Sequence, residues 1–316
     1  MTVRIEELTD GYKGSVTVLI TNVNRGVTAK GAPYLSFAFQ DKTGSMDAKY
    51  WNVSEEQLYA YQPGMLVTAT GDVLSHQKQL QFRVQKLEKV GEDLDISDFV
   101  KEGPIAKEVL KERIYAYIEE IGNPVIHTLV KEVLKDFDKD FFEYPAATKN
   151  HHDFFSGLAT HVLGMLDLAK QMVQLYPLIN PDLLYGGVIL HDIGKTLELS
   201  GAVVTEYTMQ GKLLGHISIM QAIVAEKAKE LGLQGEEETL LRHMILSHHG
   251  VYEYGSPVLP MIPEAEVLHL LDNIDARMNT MEKALKQIPE GEFTSRIFAL
   301  ENRSFYKSKV KKSGDE

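Results

Sequence analysis

The sequence predicts a multidomain chain of two classes: a small all-β barrel over residues 1–90, then an all-α helical bundle over 105–302, with a linker at 91–104 and a basic flexible tail at 303–316. Three observations predict it. Hydrophobic residues recur with a period of 2 up to residue 90 and near 3.6 beyond residue 105. The stretch between, GEDLDISDFVKEGP, is acidic, carries two glycines and a proline, and follows neither period. A length of 316 residues is ample for two hydrophobic cores.

Each element has its own signal. SVTVLITNV, YLSFAFQD, MDAKYWNV, MLVTATGDVL and LQFRVQKLEKV are β-branched and aromatic runs, and TAKGAP and KTGS between the first three read as turns. Five strands at this spacing suit a small closed barrel. In YLSFAF the alternation sends Leu35, Phe37 and Phe39 to the core, with Tyr34 outward; Leu80, Phe82 and Val84 form the same kind of inner face, with Arg83 outward. Beyond the linker, helices are predicted over 105–121, 125–137, 157–175, 181–192, 214–231, 236–248 and 264–286, punctuated by Pro124, Pro177, Pro181 and Gly250, with Gly194 read as a helix stop.

Composition excludes several function classes. With no cysteine there is no disulfide, no thiolate zinc site and no cysteine nucleophile, so any metal must be held by imidazole and carboxylate. The chain lacks both a secretory leader pattern and the roughly 18 consecutive apolar residues of a membrane span, so a cytoplasmic protein with no membrane partner is expected. The net charge of -12 is uneven: residues 1–90 hold ten Lys/Arg against nine Asp/Glu, leaving 23 against 36 in the remainder. The first part is therefore not repelled by polyanions as the second is.

The histidines of the second part need explaining. His161 lies in GLATHVLGM, His191 and Asp192 in GVILHDIGK, His216 in LLGHISI, His248 and His249 in ILSHHG, and Asp272 in VLHLLDNIDA. Neutral imidazole and carboxylate together hold Mn, Fe, Co, Ni or Zn. Neighbours on a helix diverge by about 100°, so His191 and Asp192 cannot chelate as an i, i+4 pair; they can straddle a centre in which the carboxylate bridges two ions. Lys195, three residues after Asp192, either holds a phosphate oxygen or is a surface lysine favoured by a helix C-terminus. His127, His243 and His269 read as structural; His151 and His152 precede the first ligand closely, and their role stays open, as does that of Asp275.

The order H…HD…H…HH…D with HDIGK intact, spanning about 150–280, resembles the HD phosphohydrolase superfamily. The resemblance implies a minimal metal set of His161, His191, Asp192 and Asp272, with His216 and His248, and His249 as a further ligand, completing a second ion; Asp192 and, from its position, Lys195 are the catalytic candidates. The barrel resembles the OB fold, whose single-strand binding needs basic residues and exposed aromatics; Lys30, Tyr34, Lys49, Trp51, Lys78 and Arg83 are the candidates. Trp51 is equally compatible with closing the core. A barrel followed by GLATHVLGM, HDIGK, GHI and SHHGVYEYGSP is similar to the YhaM family of bacterial 3′→5′ exoribonucleases. That resemblance implies hydrolysis of single-stranded RNA, and of single-stranded DNA as a second substrate, to nucleoside 5′-monophosphates by metal-activated water. It implies one or two divalent ions, Mn²⁺ first among Co, Fe, Ni and Zn, while homo-oligomer formation stays open. The alternatives are an HD-type nucleotide phosphohydrolase and a non-catalytic single-strand-binding protein. The cyclic-dinucleotide branch, with its GYP element, is disfavoured by HHGVYEYGSP.

Overall fold

The computed structural model describes residues 3–76, 79–90, 96–100, 103–146, 154–202 and 205–310. Lys78, His151 and His152 lie outside the described residues, as do 91–95 and 101–102 of the stretch 91–104 read as the linker. Two compact units divide between Pro104 and Ile105, with Gly201–Thr205 grouped with the first.

The first unit is a closed barrel of strands β1 (Lys13–Val27), β2 (Pro33–Asp41), β3 (Gly44–Trp51), β4 (Leu66–His76) and β5 (Gln79–Lys89), in the order β1-β2-β3-β5-β4 with β1 also paired to β4. Among the described residues only β3 and β5 run parallel. Closure depends on two irregularities. The β1–β2 register shifts between Ile20 and Asn22, so a bulge at Thr21 bends the long first strand from one neighbour to the other. The β4–β5 register shifts beside Gly71, where an added Cβ would lie 2.1 Å from the Arg83 carbonyl oxygen. Only glycine allows that approach.

Alternation places Val16, Val18, Ile20, Leu35, Phe37, Phe39, Phe82 and Val84 in the barrel core, as expected. Leu80 differs: it shares the inward parity but sits near the end of the β4–β5 hairpin and is exposed. A short helix, α1 (Glu55–Ala60), joins β3 to β4 and is capped by Ser54 and Gln57, which bond to each other's backbone N–H.

The second unit contains helices α2 (Lys107–Glu119), α3 (Pro124–Asp136), α4 (Asp138–Phe141), α5 (Gly157–Leu175), α6 (Pro181–Leu190), α7 (Lys195–Glu198), α8 (Met209–Leu231), α9 (Glu236–Ser247) and α10 (Pro263–Lys286) among the described residues. The all-β barrel followed by an all-α bundle is the predicted fold class. Its centre is α6, which packs against α2, α3, α5, α9 and α10. PDLLYGGVIL is apolar on every side because every side is covered. Gly187 lets Met244 approach, since a Cβ there would meet its Cε at 2.2 Å.

Three readings need correction. Gly194 is not a left-handed stop; its φ of -56° is helical, and α6 has already ended at Leu190. Its role is contact, because a Cβ would lie 2.4 Å from the His216 carbonyl oxygen. Helix α8 begins at Met209 rather than 214, capped by Thr208, and is interrupted by Gly215 at φ 71°, ψ 154°. The segment assigned to a flexible tail is, up to Lys307, hydrogen-bonded: Thr294 N–H donates to Phe305 O (2.9 Å) and Lys307 N–H to Glu292 O (2.9 Å). Backbone pairing does not depend on the polar, basic side chains that suggested a free tail.

Candidate active site

Five elements deliver the candidate ligands around the C-terminal end of α6. His161 comes from α5, His191 and Asp192 from the end of α6, His216 from α8 just after Gly215, His248 and His249 from the end of α9, and Asp272 from α10. His161, His191, Asp192, His216 and His248 are all buried.

Local backbone chemistry aims the rings. His191 and His248 are the C-cap residues of α6 and α9, and the Nδ1 of each donates to the carbonyl three residues back, Val188 O at 2.8 Å and Ile245 O at 2.7 Å. Each ring thereby satisfies a carbonyl that the helix end leaves without an intrahelical partner. His249 Nδ1 donates to Tyr254 O (2.6 Å), His161 Nδ1 to Asp275 (2.6 Å) and His216 Nδ1 to Glu198 (3.1 Å). Carbonyls and carboxylates only accept, so Nδ1 carries a proton and each ring turns its Nε2 toward the centre.

Four of the atoms that meet there, His191 Nε2, Asp192 Oδ1, His216 Nε2 and His248 Nε2, are buried polar atoms without a hydrogen bond. Leaving such an atom unsatisfied costs about 1–3 kcal/mol, so several in one place mark a site meant to be filled. The donors form two groups, His161–His191–Asp192 and His216–His248–His249, each with its ligand atoms within 4.8 Å of one another. Asp192 stands between them: Oδ2 is 3.3 Å from His191 Nε2 and 3.9 Å from His161 Nε2, while Oδ1 is 3.5 Å from His216 Nε2 and 3.7 Å from His248 Nε2. Asp272 Oδ1 completes the first group at 3.4 Å from His161 Nε2. Imidazole and carboxylate donors in this arrangement fit one or two divalent ions.

The electrostatics demand positive charge. Asp192, Glu198, Asp272 and Asp275 surround the site, with Lys195 Nζ 2.6 Å from Asp192 Oδ2. Burial works against ionisation of Asp192, yet Lys195 and His191 hold its carboxyl well below the usual range. Burial likewise opposes a charge on His161, but Asp272 and Asp275 overcome it and push its pKa up to about 10. Burial and the neighbouring His249 push His248 well below its ordinary value, keeping it neutral. Lys195 is therefore tied to Asp192, and an exposed surface position is excluded.

Glu198 was not legible as a site residue, and Asp275 was legible only as the residue three after Asp272 on one helix face. His269 had read as structural; its Nδ1 donates to His248 O (3.1 Å), and its ring lines a cleft. His243 accepts from Met261 N–H at 3.0 Å, and His127 lies 3.4 Å from Glu119; neither joins the centre. The cleft, about 440 Å³, opens from Lys195, His249 and Asp272 along α10 to residues 299–301.

In the barrel unit, register sets Tyr34 opposite Trp51, and Ser36, Lys49, Arg83 and Asp72 in a row across β2, β3, β5 and β4. Trp51 is 41% exposed and its ring lies 4.8 Å from that of Tyr34, so it does not close the core. Tyr34 lies over Gly26, where a Cβ would come within 2.4 Å of its ring. Lys49 bonds Ser36 Oγ and sits 5.1 Å from the Tyr34 ring centroid. Arg83 is engaged by Asp72 through two hydrogen bonds (2.9 and 2.5 Å), and Lys30 is exposed in the β1–β2 turn.

A family model described as the HD domain matches residues 158–277. The 3′-5′ exoribonuclease YhaM of Geobacillus sp. (strain WCH70) is 49% identical over 299 residues, covering 94% of this chain and 92% of its own. The second OB-fold domain of replication protein A from Methanococcus maripaludis is 20% identical over 30% of this chain and 100% of that domain, with a TM-score of 0.24. Wild-type single-stranded DNA binding protein from Thermus aquaticus is 12% identical over 26% of this chain and 41% of its own, with a TM-score of 0.24.

Proposed function

The chain belongs to the YhaM family of 3′-5′ exoribonucleases, and we propose that it shortens single-stranded RNA from the 3′ end at the histidine–aspartate centre of its helical unit. One observation carries the assignment of the centre: His191 Nε2, Asp192 Oδ1, His216 Nε2 and His248 Nε2, all buried and without a hydrogen bond, converge there from separate helices. His161, His191, Asp192 and Asp272 would hold one divalent ion, and His216, His248 and His249, with Asp192 beside them, a second. Manganese is the proposed metal, and single-stranded DNA, a homo-oligomeric state and a cytoplasmic location belong to the same reading. Bound ions activate water and stabilise both attacking and leaving oxygens of a phosphodiester.

The chain's own groups do the rest. Carbonyl and carboxylate acceptors at each Nδ1 fix the rings so that every Nε2 is aimed at the centre. Lys195 neutralises part of Asp192 and faces the cleft, where its charge favours an incoming phosphate. In the barrel, Tyr34 and Trp51 offer faces on which bases stack, and Lys30 and Lys49 supply charge near the phosphates.

The test is hydrolysis of a 3′-labelled oligoribonucleotide with added Mn²⁺. Wild type should shorten it stepwise to nucleoside 5′-monophosphates, whereas Asp192→Asn, which keeps the shape beside Lys195, should lose hydrolysis by at least about a thousandfold and retain RNA binding. Release of triphosphate from a deoxynucleoside triphosphate, with the oligonucleotide untouched, would replace this reading by a nucleotide phosphohydrolase. Full hydrolysis by Asp192→Asn would remove the centre from the mechanism.

A further inference from the structure

The cleft beside the proposed centre contains a guanidinium that the centre does not use. Arg277 lies on α10, five residues beyond Asp272 and so about 7.5 Å further along the helix axis, and lines the cleft with Asn273. Its fork is filled by one carboxylate: Nη1 donates to Glu301 Oε1 at 2.7 Å and Nη2 to Glu301 Oε2 at 2.9 Å. The same carboxylate accepts from Arg303 Nη2 at 2.6 Å. Two cations therefore share one anion at the rim of a cleft, in the part of the chain where acidic residues outnumber basic ones 36 to 23.

The backbone that presents Glu301 is unusual. Glu301 and Asn302 both lie in the left-handed region, at φ 54° and 55°. That conformation is uphill for a residue with a Cβ, and two in succession persist only where surrounding contacts impose them. Here Leu300 is buried and Arg303 N–H returns to Leu300 O at 3.1 Å, while Ile297 N–H donates to Arg303 O at 3.0 Å. Glu301 is thus held out toward Arg277 by a tight turn, in a place a flexible loop would not keep it. Its carboxyl, gripped by Arg277 and Arg303, is pulled down to about 2, so the clasp stays ionised at every pH at which the protein would work.

A bidentate guanidinium–carboxylate pair has the geometry of a guanidinium–phosphate pair. We infer that Arg277, with Arg303, is the subsite for the phosphodiester immediately upstream of the scissile one, and that Glu301 holds the two guanidiniums in place until this phosphate displaces it. The position follows from the substrate: a 3′-terminal nucleotide brings only the scissile phosphate, so a second phosphate must come from the preceding nucleotide. The inference rests on the exoribonuclease reading above. Arg277 is then a positioning residue whose contribution depends on substrate phosphates beyond the reacting one.

Two dinucleotides differing by one phosphate, UpU and pUpU, test it on the full-length protein with Mn²⁺. Wild type should prefer pUpU by about tenfold in kcat/KM, the worth of one charge-assisted contact. Arg277→Gln should bring that ratio near one through the KM for pUpU, and Glu301→Gln, which frees the arginines, should raise the ratio. Opposite effects of the two variants are the signature, because a purely structural clasp would lower both substrates together in both variants and leave the ratio unchanged. Equal use of UpU and pUpU by wild type overturns the subsite without requiring any variant to fold. Failure of wild type to hydrolyse either dinucleotide or longer RNA overturns the exoribonuclease reading and the subsite with it, a result distinct from equal hydrolysis of both.

Discussion

His161 is buried between two carboxylates, with Nδ1 2.6 Å from Asp275 and Nε2 3.4 Å from Asp272. Without an ion they hold its proton up to about pH 10, above the unfolded value near 6.5. The stabilisation that this gives the metal-free protein is therefore complete below about 6.5 and lost as pH rises through about 10. An ion on Nε2 must displace that proton, so metal uptake at neutral pH should release a proton and tighten as pH rises. Asp275→Asn removes one of the two anions and loosens the ring. Calorimetric titration with Mn²⁺ in two buffers of different ionisation enthalpy should show fewer protons released per ion and an affinity lower by about 10–100-fold. Unchanged proton release in the variant would mean that Asp275 does not govern the His161 proton.

At the scale of elements, the approach of the α6 C-terminus to α8 decides whether two groups of donors become one centre. Gly194 makes that approach possible, since a Cβ would lie 2.4 Å from a backbone oxygen that cannot swing aside. Gly194→Ala should cost about 1–3 kcal/mol in stability and weaken Mn²⁺ binding, read by melting with and without metal. Gly122→Ala is the control, because its nearest neighbour would be an ordinary 3.7 Å away. Equal metal affinity in the two variants would separate this contact from the site. The same scale explains what the sequence revealed. Long periodic segments announced themselves: α5 was expected over 157–175 and occupies Gly157–Leu175. The four-residue α4 and α7 and the six-residue α1 are too short to display a period. The candidate ligands were legible because His and Asp recur in a known order, and Asp275 lay one helical turn from one of these candidates. Glu198 carried no such signal: its bond to His216 arises from the turn at Gly215, a backbone event between residues 18 apart in the chain.

For the whole molecule, charge and aromatic faces are divided between the two units. The helical part carries the chain's acidity, and much of what surrounds its centre is carboxylate, so its mean field does not gather RNA. The barrel part is close to neutral and presents Tyr34, Trp51 and Lys49 on one outward face. A tether converts capture by one unit into a raised local concentration of substrate at the other, without any new contact between them. Only a strand long enough to occupy both units gains from this; a dinucleotide, with both nucleosides at the hydrolytic centre, leaves no base for the barrel. Replacing Tyr34 and Trp51 together by alanine should therefore raise KM for a long oligoribonucleotide by about tenfold or more, since stacking is worth about 1–3 kcal/mol per base. Hydrolysis of UpU by the same variant should change less than about twofold, because both rings lie outside the barrel core and their loss leaves that core intact. Parallel loss on long and short substrates would show that the two rings support folding, and the charge division would then have to be offset by bound metal alone.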